Sequence, residues 1–222
     1  DGKRLIAASG VAGLYGQACV FDTADGQLVR EIKGHRDTLY AAVPSPDGEQ
    51  LATAGYDRRI ILWNLADGAE VRTFEGHNGA VFDLAFSPGG AVLASASADD
   101  TVKLWKVATG QRLDTLSQPL KEQYAVLFGP LAHEGAISHL AFAHGGKTLV
   151  TVSEDRTIKL WETAGYTQSY LFDRQPDVVA AIAVSPRSDL LAVGRMDGSL
   201  DFLTLPANKS AGGDPASVAT NE

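Results

Sequence analysis

Four side chains with hydrogen-bonding chemistry recur in this chain at one fixed spacing. A histidine is followed by a hydroxyl residue 18 positions later, an aspartate 22 later and a tryptophan 28 later. The sets are His35, Thr53, Asp57 and Trp63; His77, Ser95, Asp99 and Trp105; and His133, Thr151, Asp155 and Trp161. Imidazole, hydroxyl, carboxylate and indole can serve a reaction or can satisfy one another in a core. A ruler kept three times reads as one structural unit built three times. A period of about forty residues signals a propeller or a solenoid.

Other groupings with chemical potential are weaker. Gly10, Gly13 and Gly16 fall as GxxGxxG, but a phosphate-cradling loop needs a strand before it and a helix after it. Here the apolar run 18–21 follows instead, which reads as an extended hairpin turn. His133, His139 and His144 lie close in sequence, yet His139 falls in a strand and His144 in the next turn, away from His133. They do not converge as three metal ligands. No GxSxG elbow, HExxH pair or Cys/His nucleophile arrangement is present. No catalytic residue, metal or cofactor is expected.

The elements that position the repeated residues are strands. Segments 51–63, 93–105 and 149–161 align without a gap. Each has an apolar run, a polar knot around the aspartate and a second, β-branched run ending in tryptophan. Short strands joined by tight turns read this way. A further strand lies upstream of each, as in 81–88, and a turn and fourth strand lie downstream, as in 69–74. Four strands and four turns per repeat make one propeller blade.

On these residues the chain resembles the WD-repeat β-propeller family. The family's Gly-His doublet stands as Gly34-His35 and Gly76-His77, and as Ala132-His133 in the third repeat. The Trp-Asp doublet is degenerate: Trp63-Asn64, Trp105-Lys106 and Trp161-Glu162. The resemblance covers roughly residues 1–205 and implies that each of the three sets is a structural, hydrogen-bonded tetrad. The physics suits those positions, because a buried aspartate must be paired and an indole N–H needs an acceptor.

The resemblance implies an all-β fold, a β-propeller of four-stranded antiparallel blades. About five blades are expected, at approximately 1–33, 34–75, 76–116, 133–172 and 173–205. Phe21 and Leu203 each lie 42 residues from the nearest tetrad tryptophan and take its place in partial end repeats. The first partial repeat starts at a second strand. The last has Asp197 at the aspartate position, but Gln175 for the histidine and Val193 for the hydroxyl, and no fourth strand. An incomplete segment of a seven- or eight-bladed ring is expected, with a closed five-bladed ring as the alternative. Residues 206–222 have the composition of a flexible linker or tail.

One connection is longer than the rest: 28 residues separate Trp105 from His133, against 14 between Trp63 and His77. The extra segment, 117–132, carries Leu120, Tyr124, Val126, Leu127, Phe128 and Leu131. It either packs over the neighbouring blade or presents a binding ridge. The chain holds 19 basic and 27 acidic residues, a net charge of −8, which argues against bulk nucleic-acid affinity. No membrane span or targeting segment is visible, and the single Cys19 excludes an intrachain disulfide framework. The compartment is left open, with a cytoplasmic setting favoured.

The function expected from this resemblance is a non-catalytic scaffold that docks protein or peptide partners, one module of a larger protein. The alternatives are a regulatory or substrate-recruiting module fused to an enzyme domain, or a propeller enzyme whose site lies in missing blades. Partner contacts in the family cluster just after the first-strand valine position and just before the turn aspartate. Those positions are Tyr40 and Tyr56, Phe82 and Ala98, Ser138 and Glu154, and Ala180 and Met196. The candidate partner-binding residues are Tyr40, Tyr56 and Phe82, with Arg36 and Arg58 near the rim. Self-association through unpaired blade edges is also expected.

Overall fold

A computed structural model describes residues 2–117 and 131–207. The long connection at 117–132, expected to pack over the neighbouring blade or to present a binding ridge, and the tail beyond Ala207 fall almost wholly outside the described residues.

The second and third strands of each full repeat are buried on both faces, so they must be covered on two sides. The chain meets this need with five antiparallel sheets that pack face to face. The first sheet contains β1 (Arg4–Val11), β2 (Tyr15–Asp22) and β3 (Leu28–His35). The second contains β4 (Leu39–Pro44), β5 (Gln50–Gly55), β6 (Ile60–Asn64) and β7 (Glu70–Phe74). The third contains β8 (Val81–Phe86), β9 (Val92–Ser97), β10 (Val102–Lys106) and β11 (Arg112–Thr115). The fourth contains β12 (Ile137–Ala143), β13 (Thr148–Ser153), β14 (Ile158–Glu162) and β15 (Thr167–Leu171). The fifth contains β16 (Val179–Val184), β17 (Leu190–Arg195) and β18 (Leu200–Thr204). Every sheet is a simple meander, each strand beside the next in sequence.

The sheets form an open arc of blades. The innermost strands β4, β8, β12 and β16 lie side by side. Strand β1 lies against β4 as β5 lies against β8 and β9 against β12, so β1 holds the place of a second strand. The fold is the expected all-β propeller segment, with three-stranded sheets at both ends. The described residues contain no helix long and apolar enough to cross a membrane.

Four apolar layers fill the spaces between the five sheets. Alternation along β6 sends Ile61 and Trp63 toward the first sheet and Ile60 and Leu62 toward the third. The tryptophans therefore face backward: Trp63 packs with Ala18, Val20 and Ile32, Trp105 with Phe74, and Trp161 with Leu104 and Leu116. Removing such a ring costs about 3–5 kcal/mol.

The glycine before the histidine now has a physical reason. A Cβ on Gly34 would lie 2.5 Å from the edge of the Trp63 ring. At Gly76 the same contact would be 3.5 Å, and in the fourth sheet Ala132 is accommodated and fully buried.

A second inter-sheet device sits at the outer rim. A bulge between β2 and β3, and another between β6 and β7, sets Arg30 opposite Val20 and Arg72 opposite Leu62. Arg30 donates to the carbonyls of Ala66 and Asp67 at 2.6 and 2.9 Å, in the outer turn of the next sheet. Arg72 donates likewise to Ala108 and Thr109, at 3.0 and 2.8 Å. Gly110 has φ +76°, and a Cβ there would lie 2.7 Å from Cδ of Arg72, so the turn is glycine for both space and conformation. Between the third and fourth sheets Asp114 stands at the arginine position and Tyr166, φ +52°, at the glycine position. Tyr166 packs on the layer there, and burial and the nearby Asp114 raise its phenol pKa.

Candidate functional site

Each set of four residues converges on the turn between the second and third strands of its sheet. The indole N–H of Trp105 donates to Ser95 Oγ at 2.9 Å, and that oxygen lies 2.7 Å from Nε2 of His77. Nδ1 of His77 lies 2.9 Å from Asp99 Oδ2. One assignment satisfies every group: indole to hydroxyl, hydroxyl to Nε2, and Nδ1–H to carboxylate. His35, Thr53, Asp57 and Trp63 repeat this, with Trp63 to Thr53 at 2.7 Å, Thr53 to His35 at 2.8 Å and His35 to Asp57 at 3.0 Å.

The aspartates also tie down two stretches of backbone each. Asp99 accepts the N–H groups of Asn78 and Thr101, and Asp57 those of Arg36 and Arg59. Burial works against ionisation of Asp99, but donation from His77, Thr101 and the Asn78 amide outweighs it and holds the carboxyl well below the usual range. Asp155 and Asp57 are lowered in the same way. His77 and His133 are pushed below the ordinary imidazole value by burial, against the pull of Asp99 and Asp155. Both are therefore neutral near pH 7, as the assignment requires.

The third set has a fifth member. Nδ1 of His133 is 2.8 Å from Thr157 Oγ1, whose hydroxyl donates to Asp155 at 2.6 Å, while the direct distance from His133 to Asp155 is 3.4 Å. Trp161 and Thr151 hold their expected places, at 2.8 and 2.7 Å. Thr101 is the equivalent in the second set and also donates to its aspartate. Two buried lysines join the same knots: Lys103 Nζ donates to Thr101 Oγ1 and Lys159 Nζ to the carbonyl of Ala132, each at 2.8 Å. Burial lowers both lysine pKa values, against the pull of nearby Asp99 and Asp155. The shared spacing of Thr101 with Thr157 and of Lys103 with Lys159 was a usable sequence signal.

The last partial repeat is built differently. Asp197 is exposed and bonds within its own turn to Ser199. The buried group is Arg195, which donates to Gln175 Oε1 at 2.6 Å and pairs with Asp201 at 2.7 Å. An arginine–glutamine bond thus replaces the aspartate–histidine one.

The chemistry open to the three sets is limited by access. Thr53, Ser95 and Thr151 are buried, and their oxygens are already shared between an indole and an imidazole. The other two histidines are engaged apart from these knots. His139 donates from Nε2 to the carbonyl of Ala180, and His144 Nδ1 meets Thr148 Oγ1.

The candidate docking residues are presented by a repeated irregularity. A bulge interrupts the pairing of the first and second strands in four sheets, leaving Tyr40, Phe82, Ser138 and Ala180 without a register partner. Bulges re-aim side chains and gather beside functional sites. Tyr40 is 46% exposed, and its ring meets that of Phe82 edge to face at 5.3 Å, across two sheets. Tyr56, 59% exposed, stands on the turn whose N–H bonds to Thr38, two residues before Tyr40. Arg36 and Arg58 are exposed on the two loops that Asp57 joins.

Residues 26–64, 68–106 and 125–162 each match the family model described as WD domain, G-beta repeat, together more than half of the chain. WD repeat and SOCS box-containing protein 1 from Takifugu rubripes is 39% identical over 188 residues, 82% of this chain and 42% of that protein. Intraflagellar transport protein 122 homolog from Danio rerio is 41% identical over 63 residues, 28% of this chain and 5% of that protein. Periodic tryptophan protein 2 homolog from Neurospora crassa is 39% identical over 83 residues, 37% of this chain and 9% of that protein. The matches thus span less than half the length of each of these curated relatives. WD-repeat proteins are in general non-catalytic scaffolds for protein–protein interaction. The repeats that carry the tetrads are the repeats the family model recognises, and the chain belongs to the WD-repeat family of β-propellers.

Proposed function

We propose that this chain is a non-catalytic platform that docks a protein or peptide through the face bearing Tyr40, Tyr56 and Phe82. The observation that carries the reading is the ring pair Tyr40–Phe82, held by bulges in two adjacent sheets. Aromatic rings left partly in water are typical of interface hot spots, as are arginines, and Arg36 and Arg58 are exposed on the loops joined by Asp57. The role of the tetrads in this reading is structural: their polar groups are consumed in holding loops, which leaves a stiff platform. The names of the relatives, which include an intraflagellar transport protein and a SOCS box protein, favour membership of larger assemblies.

The test is a double substitution, Tyr40→Ala with Phe82→Ala. It is expected to abolish binding of a partner recovered by the unmodified chain. Loss of the ring contact is expected to lower Tm by only about 1–6 °C, since such a pair is worth about 0.5–1.5 kcal/mol. Unchanged binding would move the site away from this face, and a much larger loss of stability would assign the rings to the core.

A further inference from the structure

The residues that follow Phe82 and Ser138 on the inner strands are a carboxylate and an imidazole. Asp83 of β8 uses one oxygen to accept the N–H of Leu84 at 2.8 Å and the other to accept the N–H of Leu140, in the next sheet, at 3.0 Å. His139 of β12 reaches onward and donates from Nε2 to the carbonyl of Ala180 on β16 at 2.8 Å. Two side chains therefore link three consecutive sheets at their inner strands. Nδ1 of His139 lies 3.7 Å from Asp83 Oδ2.

In the neutral ring the proton sits on Nε2, where the Ala180 carbonyl requires it, so Nδ1 turns a lone pair toward a carboxylate. A second proton converts that opposition into attraction between an N⁺–H and the anion. The strands packed against β12 are β8, β9, β13 and β16. Among them only β8 carries a charged residue, Asp83. His144, the other imidazole near this strand, is occupied with Thr148 just beyond its end. The two side chains are 33% and 25% exposed, open enough to exchange protons with water and covered enough to feel each other.

We propose that Asp83 and His139 form a proton-dependent clasp across the third and fourth sheets, tightening the inner strands that carry Phe82 and Ser138 as the pH falls. The bearing of the clasp on docking rests on the docking reading above, whereas its titration does not. The Asp83 carboxylate, acting against burial, raises the imidazole pKa of His139. A raised histidine stabilises the fold fully below its unfolded value of about 6.5, and that contribution disappears as the pH rises through the folded value.

The experiment needs no partner. The His139 imidazole is followed by NMR titration in the unmodified chain and in Asp83→Asn, with Tm measured against pH for the unmodified chain and His139→Gln. Glutamine can still donate to Ala180 but cannot take up a proton. The clasp requires a His139 midpoint above about 6.5, lowered by Asp83→Asn. It also requires the Tm advantage over His139→Gln to grow, by roughly 2–4 °C, between about pH 8 and pH 6. The Phe82 amide should move with the same midpoint. A midpoint at or below about 6.5, indifference to Asp83→Asn, or a pH-independent Tm difference overturns the clasp. Should Asp83→Asn not fold, the comparison with His139→Gln decides alone. Failure of the Tyr40/Phe82 substitution to affect binding would leave the titration untouched, so the two ideas fail separately.

Discussion

Asp99 shows how much one polar side chain can hold in this fold. It accepts from His77, from the hydroxyl of Thr101 and from the amides of Asn78 and Thr101. Asp99→Ala leaves those donors unpaired and is expected to cost about 1–3 kcal/mol in chemical denaturation. Lys106→Ala, on an exposed side chain, should stay within about 0.5 kcal/mol. Equal and small effects would mean that Asp99 is not structural. Acid should act through the same residues. His77 and His133 have lowered pKa values, so their contribution is complete above about 6.5 and fades as the pH falls toward the folded values. Asp57, Asp99 and Asp155, also lowered, contribute above about 3.9 and lose that contribution on further acidification. His139→Gln removes the opposing raised histidine, so in that variant the acid loss through His77 and His133 should be steeper than in the unmodified chain just below about pH 6.5.

At the scale of strands and turns, the connections between sheets can be tested singly. Gly34→Ala forces a methyl against the Trp63 ring and is expected to cost about 1–3 kcal/mol. Gly89→Ala, with nothing near its Cβ, should change stability by no more than about 0.5 kcal/mol. Arg72→Met keeps the stem and loses two donors to exposed carbonyls, so about 0.5–1.5 kcal/mol is expected.

Much of this scale was legible in the sequence. The strand runs and the tetrad spacing led to the propeller fold, because apolar pattern and turn residues act locally. Thr157 was not legible as a link between His133 and Asp155, because that depends on which way a hydroxyl turns. Arg30 and Arg72 are as evenly spaced as the tryptophans, yet their meaning depends on bulges that carry no residue signature. Asp197 shows the opposite case: it occupies the aspartate position, but its histidine is gone, and Arg195 takes over the buried contact. The residues after the first-strand valine position were named from family resemblance. Their exposure comes from a pairing irregularity that only the folded sheets display.

For the whole molecule, stability is divided among layers, each needing two sheets. The outermost sheets of the arc leave large apolar side chains in water: Leu5 is 61% exposed on β1 and Phe202 66% on β18. Such surfaces and free strand edges recruit other chains. Sedimentation of this chain alone is expected to show mass increasing with concentration, and a monomer independent of concentration would contradict this. The backward-facing tryptophans have a consequence for how such arcs arise. The tryptophan ring, its knot and the glycine that makes room for it lie within one stretch of sequence, with Trp63 and Trp105 42 residues apart. Copying that stretch in tandem copies the adhesive with it, so the arc can be lengthened by gene duplication without redesign of any existing core. Between the third and fourth sheets the spacing grows to 56, from Trp105 to Trp161, and Asp114 and Tyr166 replace the arginine–glycine pair. At that junction the copied knot of Trp161, Thr151 and His133 carries over, whereas the rim fastening does not.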